Sequence, residues 1–567
     1  MKNWRLKVLL FFILLLAAII ISRLFYIQII NGKFYQAQAL GQQAGFKQIV
    51  GERGQVFLSN SKDSKGDEDS FQVKSLAINQ DGWLVYTVPS KIENKDNFSK
   101  VLSEVINESK SSILSKLDQS NTYVILKKNL SEDEVSLLKK TNIGNIYFEN
   151  NPSRFYPQKG LASQVIGFLG GNKIGQYGIE GYYNSDLEGK KGIDEQKKGL
   201  DLINSDSLSY LNGSDIYLTI DYNIQFQAEA LLKEAKKNID IDSGQIIVLK
   251  PDSGKILAMA NFPEFDPNQY SREDNFDIFQ NVTIQKIFEP GSIFKPFTMA
   301  IALQEGKVSP DSTFFDSGSF TMGPDTVYNF DRKKYGQQTM SGILEKSINT
   351  GAVFLSQKVS HQTFINYMSK FGFSEKTGVD LQGEVSSRNE VLKNGSDFGF
   401  ATASFGQGIE MNPLQLARAF CMFANGGKLI EPYIVSKIVH DGNEVEINKK
   451  VSQSVISQKT ASDVTNMLIN VVERGFGSEG RVEGYYLAGK TGTAQVPIEN
   501  GKGYYKDKTI QSFVGFGPAL QPEFLIMVKL DNPKVSASAL SAAPIFRKLA
   551  KYIVDYWQIA PDYSADK

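Results

Sequence analysis

Ser292-Ile293-Phe294-Lys295 sets a serine hydroxyl and a lysine amine three residues apart. On a helix, positions i and i+3 share a face, so this amine can meet this hydroxyl. A serine needs a base to become a nucleophile, and a desolvated lysine can serve. Glu289-Pro290-Gly291 suit a turn entering a helix, which places Ser292 in the first helical turn and Pro296 still near its start. A helix N-terminus offers free N–H groups and positive dipole character, both favourable to the oxyanion of an acyl transfer. The spacing alone means little. Ser59/Lys62 and Ser136/Lys139 repeat it and read as chance pairs on solvated faces. Ser347-Ile348-Asn349, taken by itself, reads as a capping or turn serine. Lys490-Thr491-Gly492-Thr493 follows the apolar run Tyr485–Ala488, so it is expected on a β-strand. There a strand edge can offer N–H groups to an extended peptide, while Lys490 and the threonine hydroxyls bind a carboxylate. Gly492 leaves room for close backbone approach. A second copy, Lys376-Thr377-Gly378, has no strand-like run before it and reads as a loop.

Composition narrows the chemistry further. The chain has 567 residues, and division by about 150 per domain predicts three or four domains. Lys+Arg and Asp+Glu are both 62, which argues against a protein that coats nucleic acid. One cysteine, Cys421, excludes a disulfide scaffold and a Cys-rich zinc site. Two histidines, His361 and His440, leave little material for a histidine-based triad or metal site, so an enzymatic base is expected to be something else. The elements that must position these residues show in the periodicity. Gln245–Lys250 and Ile256–Ala260 around Pro251–Gly254 predict a hairpin. Ile216–Ile220, Ile510–Gly517 and Phe524–Leu530 read as strands, and Ile224–Ala235 and Pro544–Tyr556 as helices. Strands at both ends of a segment with helices between predict an α+β domain whose antiparallel sheet is assembled from sequence-distant pieces. Upstream, Phe98–Ile106 and Ser131–Leu138 have helical spacing, and Ser59–Ser70 reads as a solvated loop. At the N-terminus Val8–Ile21 is apolar, and Leu24–Ile30 continues mostly so after Ser22-Arg23. With Lys2, Arg5 and Lys7 ahead of it, and no A-x-A site behind, this predicts an uncleaved signal anchor with the N-terminus cytoplasmic and the bulk exported.

S-x-x-K, S-x-N and K-T-G in this order form the signature of penicillin-binding proteins and class A β-lactamases, usually with S-D-N in the middle. Ile348 departs from the Asp of that element, leaving the serine and asparagine as its functional letters. The chain resembles a class B, monofunctional penicillin-binding protein over nearly its whole length. Glu52–Phe57 resembles the R-G-x-I motif of the family's pedestal, with Leu58 where an Asp is usual. Arg154–Pro157, Gly178–Tyr183 and Leu187–Gly189 are similar to further pedestal stretches. Leu218–Asp221, Glu289–Pro296, Phe405–Gly408, Pro413–Gln415 and Ala424–Gly427 are similar to stretches of the transpeptidase domain. Phe371–Glu384 is similar to a loop of this family, which also demotes Lys376.

The resemblance implies an α+β penicillin-binding transpeptidase fold, an antiparallel sheet flanked by helices, with an elongated pedestal and a single transmembrane helix. Residues 1–30 would be tip and anchor, 31–213 a dimerisation-like pedestal, and 214–560 the transpeptidase domain. It implies a peptidoglycan D,D-transpeptidase, with Ser292 as nucleophile and Lys295 as acylation base. Ser347 and Asn349 would relay a proton and orient Lys295 and the peptide, while Lys490, Thr491, Gly492 and Thr493 would bind near the terminal carboxylate. β-Lactams would acylate Ser292, and no cofactor or metal is expected. The partners implied are D-Ala-D-Ala donor and amine acceptor stem peptides, a polytopic membrane glycosyltransferase and other division proteins, but no nucleic acid. Lys490–Pro497 with Gly503–Tyr505 looks more like the septal than the elongation type. A carboxypeptidase or β-lactamase would need a base for its deacylating water, which no residue names. A non-enzymatic wall-synthesis scaffold is disfavoured by the intact three-motif set.

Overall fold

The structure, a computed structural model, describes residues 4–25, 47–59, 73–119, 123–194, 210–330, 332–387, 389–393, 395–447, 454–498 and 503–564. They fall into two compact units, one drawn from residues 1–54, 185–215 and 439–443, the other from 55–184, 216–438 and 444–567.

The first unit contains helix α1 (Trp4–Phe25), 22 residues long, with large apolar side chains such as Leu10, Phe11, Phe12, Ile20 and Phe25 exposed. Taken over the side chains described, which interrupt α1 at Arg5–Leu9, Ala18 and Ser22, no helix is long and apolar enough to cross a membrane. The expected continuation Tyr26–Ile30, like Asn60–Ser70 of the charged loop, lies outside the described residues. Lys47–Val50 pairs antiparallel with Lys191–Asp194. Beside them the backbones of Gly54 and Gly213 donate to Leu187 O and Glu52 O, both at 2.8 Å. A Cβ on Gly213 would lie 1.8 Å from Leu187 O, so only glycine permits this approach.

The second unit begins with a three-stranded sheet, Trp83–Thr87 between Val124–Leu130 and Ile146–Asn150. Its helices Lys95–Ile106 and Glu132–Lys140 match the helical spacing, and Ser131 with Glu134 closes a reciprocal capping box. Leu102, Ile106, Ile113, Leu117, Leu126 and Leu130 fill the core between them. Further along, Arg154 and Glu180 make a buried 2.6 Å ion pair, joining two of the pedestal-like stretches.

The large lobe is built on five antiparallel strands: β1 (Ser243–Leu249), β2 (Ile256–Phe262), β3 (Ala488–Pro497), β4 (Tyr504–Gly517) and β5 (Phe524–Asp531). Their order is β2-β1-β5-β4-β3, so early and late pieces of the chain interleave and β3 lies at an edge. Around this sheet lie helices α2 (Tyr222–Ile239), α3 (Lys295–Gln304), α4 (Asn349–Ser356), α5 (Pro413–Ala424), α6 (Gln458–Arg474) and α7 (Ala542–Tyr556). Phe524, Ile526, Val528 and Leu530 alternate along β5 onto one face, where they meet Leu231 and Leu232 of α2 and Phe546, Leu549 and Ile553 of α7. On α5, Phe420 meets Phe516 of β4 edge-on at 6.3 Å and Phe297 of α3 at 5.9 Å. The expected α+β lobe is therefore present. Ile216–Ile220, however, does not join its sheet. Its strand, Asp215–Asp221, runs parallel to Val56–Ser59, and Thr219 is tied by its amide to Ile434 O and by its hydroxyl to Ile256 O.

Phe546 is fully buried, 4.5 Å from the Phe513 ring. Phe546→Ala is expected to destabilise the large lobe by about 3–5 kcal/mol, measured by denaturant unfolding.

Candidate active site

Ser292 lies in a single 3₁₀ turn, Gly291–Phe294, that runs directly into α3. Ile293, Phe294 and Lys295 are fully buried while Ser292 stays partly exposed, so the turn is anchored by its apolar residues and presents its hydroxyl. Gly291 has φ +57°, and its N–H donates to Gly406 O at 3.0 Å. Glu289 fastens the same turn from the other side. Its carboxylate accepts from the Gly408 N–H at 3.0 Å and from the Tyr504 hydroxyl at 3.2 Å. Burial raises the Glu289 pKa, and burial beside that carboxylate pushes the Tyr504 phenol up to about 12. Phe405–Gly408 and Glu289 thus act as a clamp on the Ser292 turn. No local pattern marks that role, since nothing local ties a glutamate to residues more than a hundred positions away.

Lys295 and Lys490 are both fully buried, and both reach Ser347. Lys295 Nζ lies 3.1 Å from Ser347 Oγ and 2.5 Å from Ser347 O, and Lys490 Nζ lies 3.0 Å from the same Oγ. Among the described residues neither amine is bonded to a carboxylate. Burial first, and the Lys490 charge second, hold Lys295 well below the usual lysine range. Burial brings Lys490 down to about 7. A hydroxyl has one proton to give and lone pairs to accept with. Ser347 can therefore accept from a protonated Lys490 and donate to a neutral Lys295, the arrangement a proton relay needs. Asn349 opens α4, and its side-chain amide donates to Tyr328 O at 2.8 Å, with no bond to Lys295 among those described.

Lys490–Thr493 lies inside β3, which begins at Ala488; the expected run Tyr485–Leu487 is a turn leading into it. Thr491 is buried beside Lys490, whose Nζ also donates to Thr491 O at 3.2 Å, and Thr493 Oγ1 meets Ser538 Oγ at 3.4 Å. Among the described residues β3 pairs only with β4, so it is an edge strand of the kind to which an extended chain can add. Gly492 lets this strand abut the Ser292 turn, because a Cβ there would sit 2.8 Å from Ile293 Cγ1. The three motifs therefore meet: turn, serine and strand, with two lysines converging on one hydroxyl. The second K-T-G copy is a loop, as expected. Its Thr377 and Gly378 N–H groups donate to Glu384, and neighbouring Asp380 accepts from the Ile434 and Val435 amides. Cys421 is buried on α5, where burial pushes its thiol up, out of nucleophilic reach.

Residues 244–551 match the family described as the penicillin binding protein transpeptidase domain, more than half of the chain, and residues 67–218 match the penicillin-binding protein dimerisation domain. This chain is a class B penicillin-binding protein. It is similar to the stage V sporulation protein D of Bacillus subtilis, 31% identical over 95% of this chain and 84% of that protein. It is similar to the peptidoglycan D,D-transpeptidase FtsI of Buchnera aphidicola (strain Bp), 31% identical over 99% of this chain and 96% of that one. Among solved structures it is similar to penicillin binding protein 3 of Mycobacterium tuberculosis complexed with aztreonam, with TM-score 0.69, 26% identity, and coverage of 91% of this chain and 98% of that one. As a member of this family it is a transpeptidase, with the family's α+β catalytic fold and dimerisation domain.

The two K-T-G glycines separate packing from conformation. At Gly492 a methyl meets Ile293 and, at 2.6 Å, Ser512 Oγ, whereas at Gly378, φ +77°, it meets nothing within 4 Å. Gly492→Ala is expected to cost about 1–3 kcal/mol in thermal unfolding and to slow labelling by a fluorescent penicillin. Gly378→Ala is expected to carry a smaller backbone penalty and label normally.

Proposed function

We propose that this penicillin-binding protein cross-links peptidoglycan stem peptides through an acyl-enzyme on Ser292. The convergence of Lys295 and Lys490 on the Ser347 hydroxyl, beside the turn that carries the partly exposed Ser292, is the observation that carries this reading. Neutral Lys295 takes the Ser292 hydroxyl proton as Ser292 Oγ bonds to the carbonyl carbon of the penultimate D-Ala. The backbone N–H groups of Ser292 and Thr493 receive the oxyanion. Collapse of the tetrahedral intermediate breaks the C–N bond. The departing D-Ala amine takes its proton through Ser347, which Lys490 faces from the other side. An acceptor amine from a neighbouring stem then attacks the ester, and its proton returns to the Ser292 oxygen as the C–O bond breaks. One peptide bond is exchanged for another. Lys490, Thr491 and Thr493 hold the donor's terminal carboxylate region, with Gly492 allowing its close approach, and Asn349 borders the donor peptide. β-Lactams, as carbonyl mimics of the donor, acylate the same serine; the aztreonam complex of the similar Mycobacterium tuberculosis protein supports this.

Residues 1–30 serve as cytoplasmic tip and membrane anchor, supported by the apolar run Val8–Ile21 and by α1, about 33 Å long at roughly 1.5 Å per residue. Residues 31–213 form the pedestal and 214–560 the catalytic domain. We assign the protein to septal wall synthesis, working with a polytopic membrane glycosyltransferase, on the resemblance of Lys490–Pro497 and Gly503–Tyr505 to the septal type. A fluorescent fusion is expected in the carbonate-resistant membrane fraction and at midcell; sidewall distribution would place it in elongation instead.

Ser292→Ala is expected to abolish fluorescent-penicillin labelling. Lys295→Ala, with its fold intact by circular dichroism, is expected to slow it about 10²–10⁴-fold. The acylation rate of the wild type should rise with pH as Lys295 loses its proton, on a limb below that of an ordinary lysine. Lys490→Ala removes a neighbouring positive charge, so the Lys295 pKa rises and the limb moves to higher pH. Normal labelling of Lys295→Ala would remove lysine from the role of base.

A further inference from the structure

Ser347 sits at φ +52°, in the left-handed region that costs a non-glycine residue about 1 kcal/mol or more. Such strain persists only where surrounding structure over-determines it. The helix that follows, α4, has no capping side chain of its own: Ile348, at its N-cap, is an apolar residue and offers none. The cap arrives from elsewhere. Asn329 Oδ1 accepts from the Asn349 N–H at 3.1 Å and from the Thr350 N–H at 3.3 Å. Its other side-chain end, Nδ2, donates to Asp316 Oδ2 at 2.9 Å and to Lys333 O at 3.0 Å. Asp316 is 1% exposed, and its carboxylate also accepts from the Thr350 hydroxyl at 2.6 Å and from the Gly318 and Tyr335 amides at 2.9 and 2.8 Å.

We propose that Asp316 and Asn329, with Thr350, are positioning residues that lock the Ser347–Asn349 turn so that the Ser347 hydroxyl stands between Lys295 and Lys490. This rests on the transpeptidase reading above. The carboxylate fixes which way the Asn329 amide faces, so that Oδ1 points to the helix end. A fixed Oδ1 pins the Asn349 and Thr350 amides, and through two residues of backbone it holds Ser347 in its left-handed conformation. Asp316, Asn329 and Thr350 make no bond to either lysine. Their effect on chemistry passes entirely through the backbone of the turn. The chain between Thr313 and Thr339, two short antiparallel pairings nested one inside the other, is thereby a support for the site. Its exposed Phe315, Phe330 and Tyr328 ride on that support.

Asn329→Ala removes the borrowed cap, and Thr350→Val removes one donor to Asp316 while keeping the volume. In the full chain each is expected to slow acylation by benzylpenicillin, and Asn329→Ala by about 10- to 100-fold, the scale of a misplaced catalytic contact. A loosened turn admits water to Lys295, so its pKa rises and the ascending limb of the acylation rate moves to higher pH. Amide hydrogen exchange should speed up selectively at Asn349 and Thr350. Leu102→Ala, in the separate core of the N-terminal sheet, supplies a loss of stability without either change. Unshifted limbs in both site variants, or unchanged exchange at the two amides, would overturn the positioning role even if both variants melt early. Failure of the wild type itself to acylate would instead overturn the transpeptidase reading, and the exchange measurement would still decide this one.

Discussion

Two lysine amines share one serine hydroxyl in a space that holds no bonded carboxylate among the described residues. The rest of the catalytic lobe follows from keeping that arrangement dry and fixed. A lysine whose pKa falls on folding penalises the folded state as pH drops below the unfolded value, and the penalty is complete below the folded one. For Lys490, brought to about 7 by burial, that penalty is felt at neutral pH. The sheet packed between α2 and α7 on one side and the aromatic cluster of α3 and α5 on the other works against it.

The same constraint explains the close approaches. Lys295 begins α3, Ser347 precedes α4 and Lys490 lies in an edge strand, so three separate elements must meet within hydrogen-bond reach. Gly291, Gly406 and Gly492 are the points where backbone replaces side chain to allow it. Glu289 and Tyr504 then tie the Ser292 turn to the start of β4, so the turn and the sheet are referenced to one another. Rigidity here is functional: a proton relay tolerates little slack in its donor and acceptor distances.

Much of this was legible in residue order. The hairpin β1–β2, the strands β4 and β5, the helices α2 and α7 and the strand that carries Lys490–Thr493 all carry local signals of period or turn chemistry. Lys490 lies in a strand and Lys376 in a loop, in keeping with apolar runs that flank only the first. What escaped was nonlocal. The strand at Asp215–Asp221 has the alternation of a strand but no marker of which sheet it joins, and it pairs with Val56–Ser59 by a parallel register that no short-range pattern encodes. Asn349 opens a helix whose first amides are capped by Asn329, twenty residues upstream, a tie that no short-range pattern marks. Asp316 and Asn329 carry no local signal that ties them to a helix starting at Asn349.

Asp316 also shows why the histidine-poor composition is workable. A buried carboxylate beside Lys295 would stabilise the ammonium and raise its pKa, disabling it as a base. Organising a two-lysine site still benefits from a buried anion, because charge-assisted hydrogen bonds are the stronger and more directional kind. The structure separates the two needs. The carboxylate is satisfied by the Thr350 hydroxyl, the Asn329 amide and two backbone N–H groups, and it bonds to neither lysine. Its orienting influence travels to Ser347 through neutral groups and backbone, while burial without a bonded carboxylate holds Lys295 well below the usual lysine range and brings Lys490 to about 7. An ion pair placed directly in the site would have made the same geometry easier to hold and the same chemistry harder to perform.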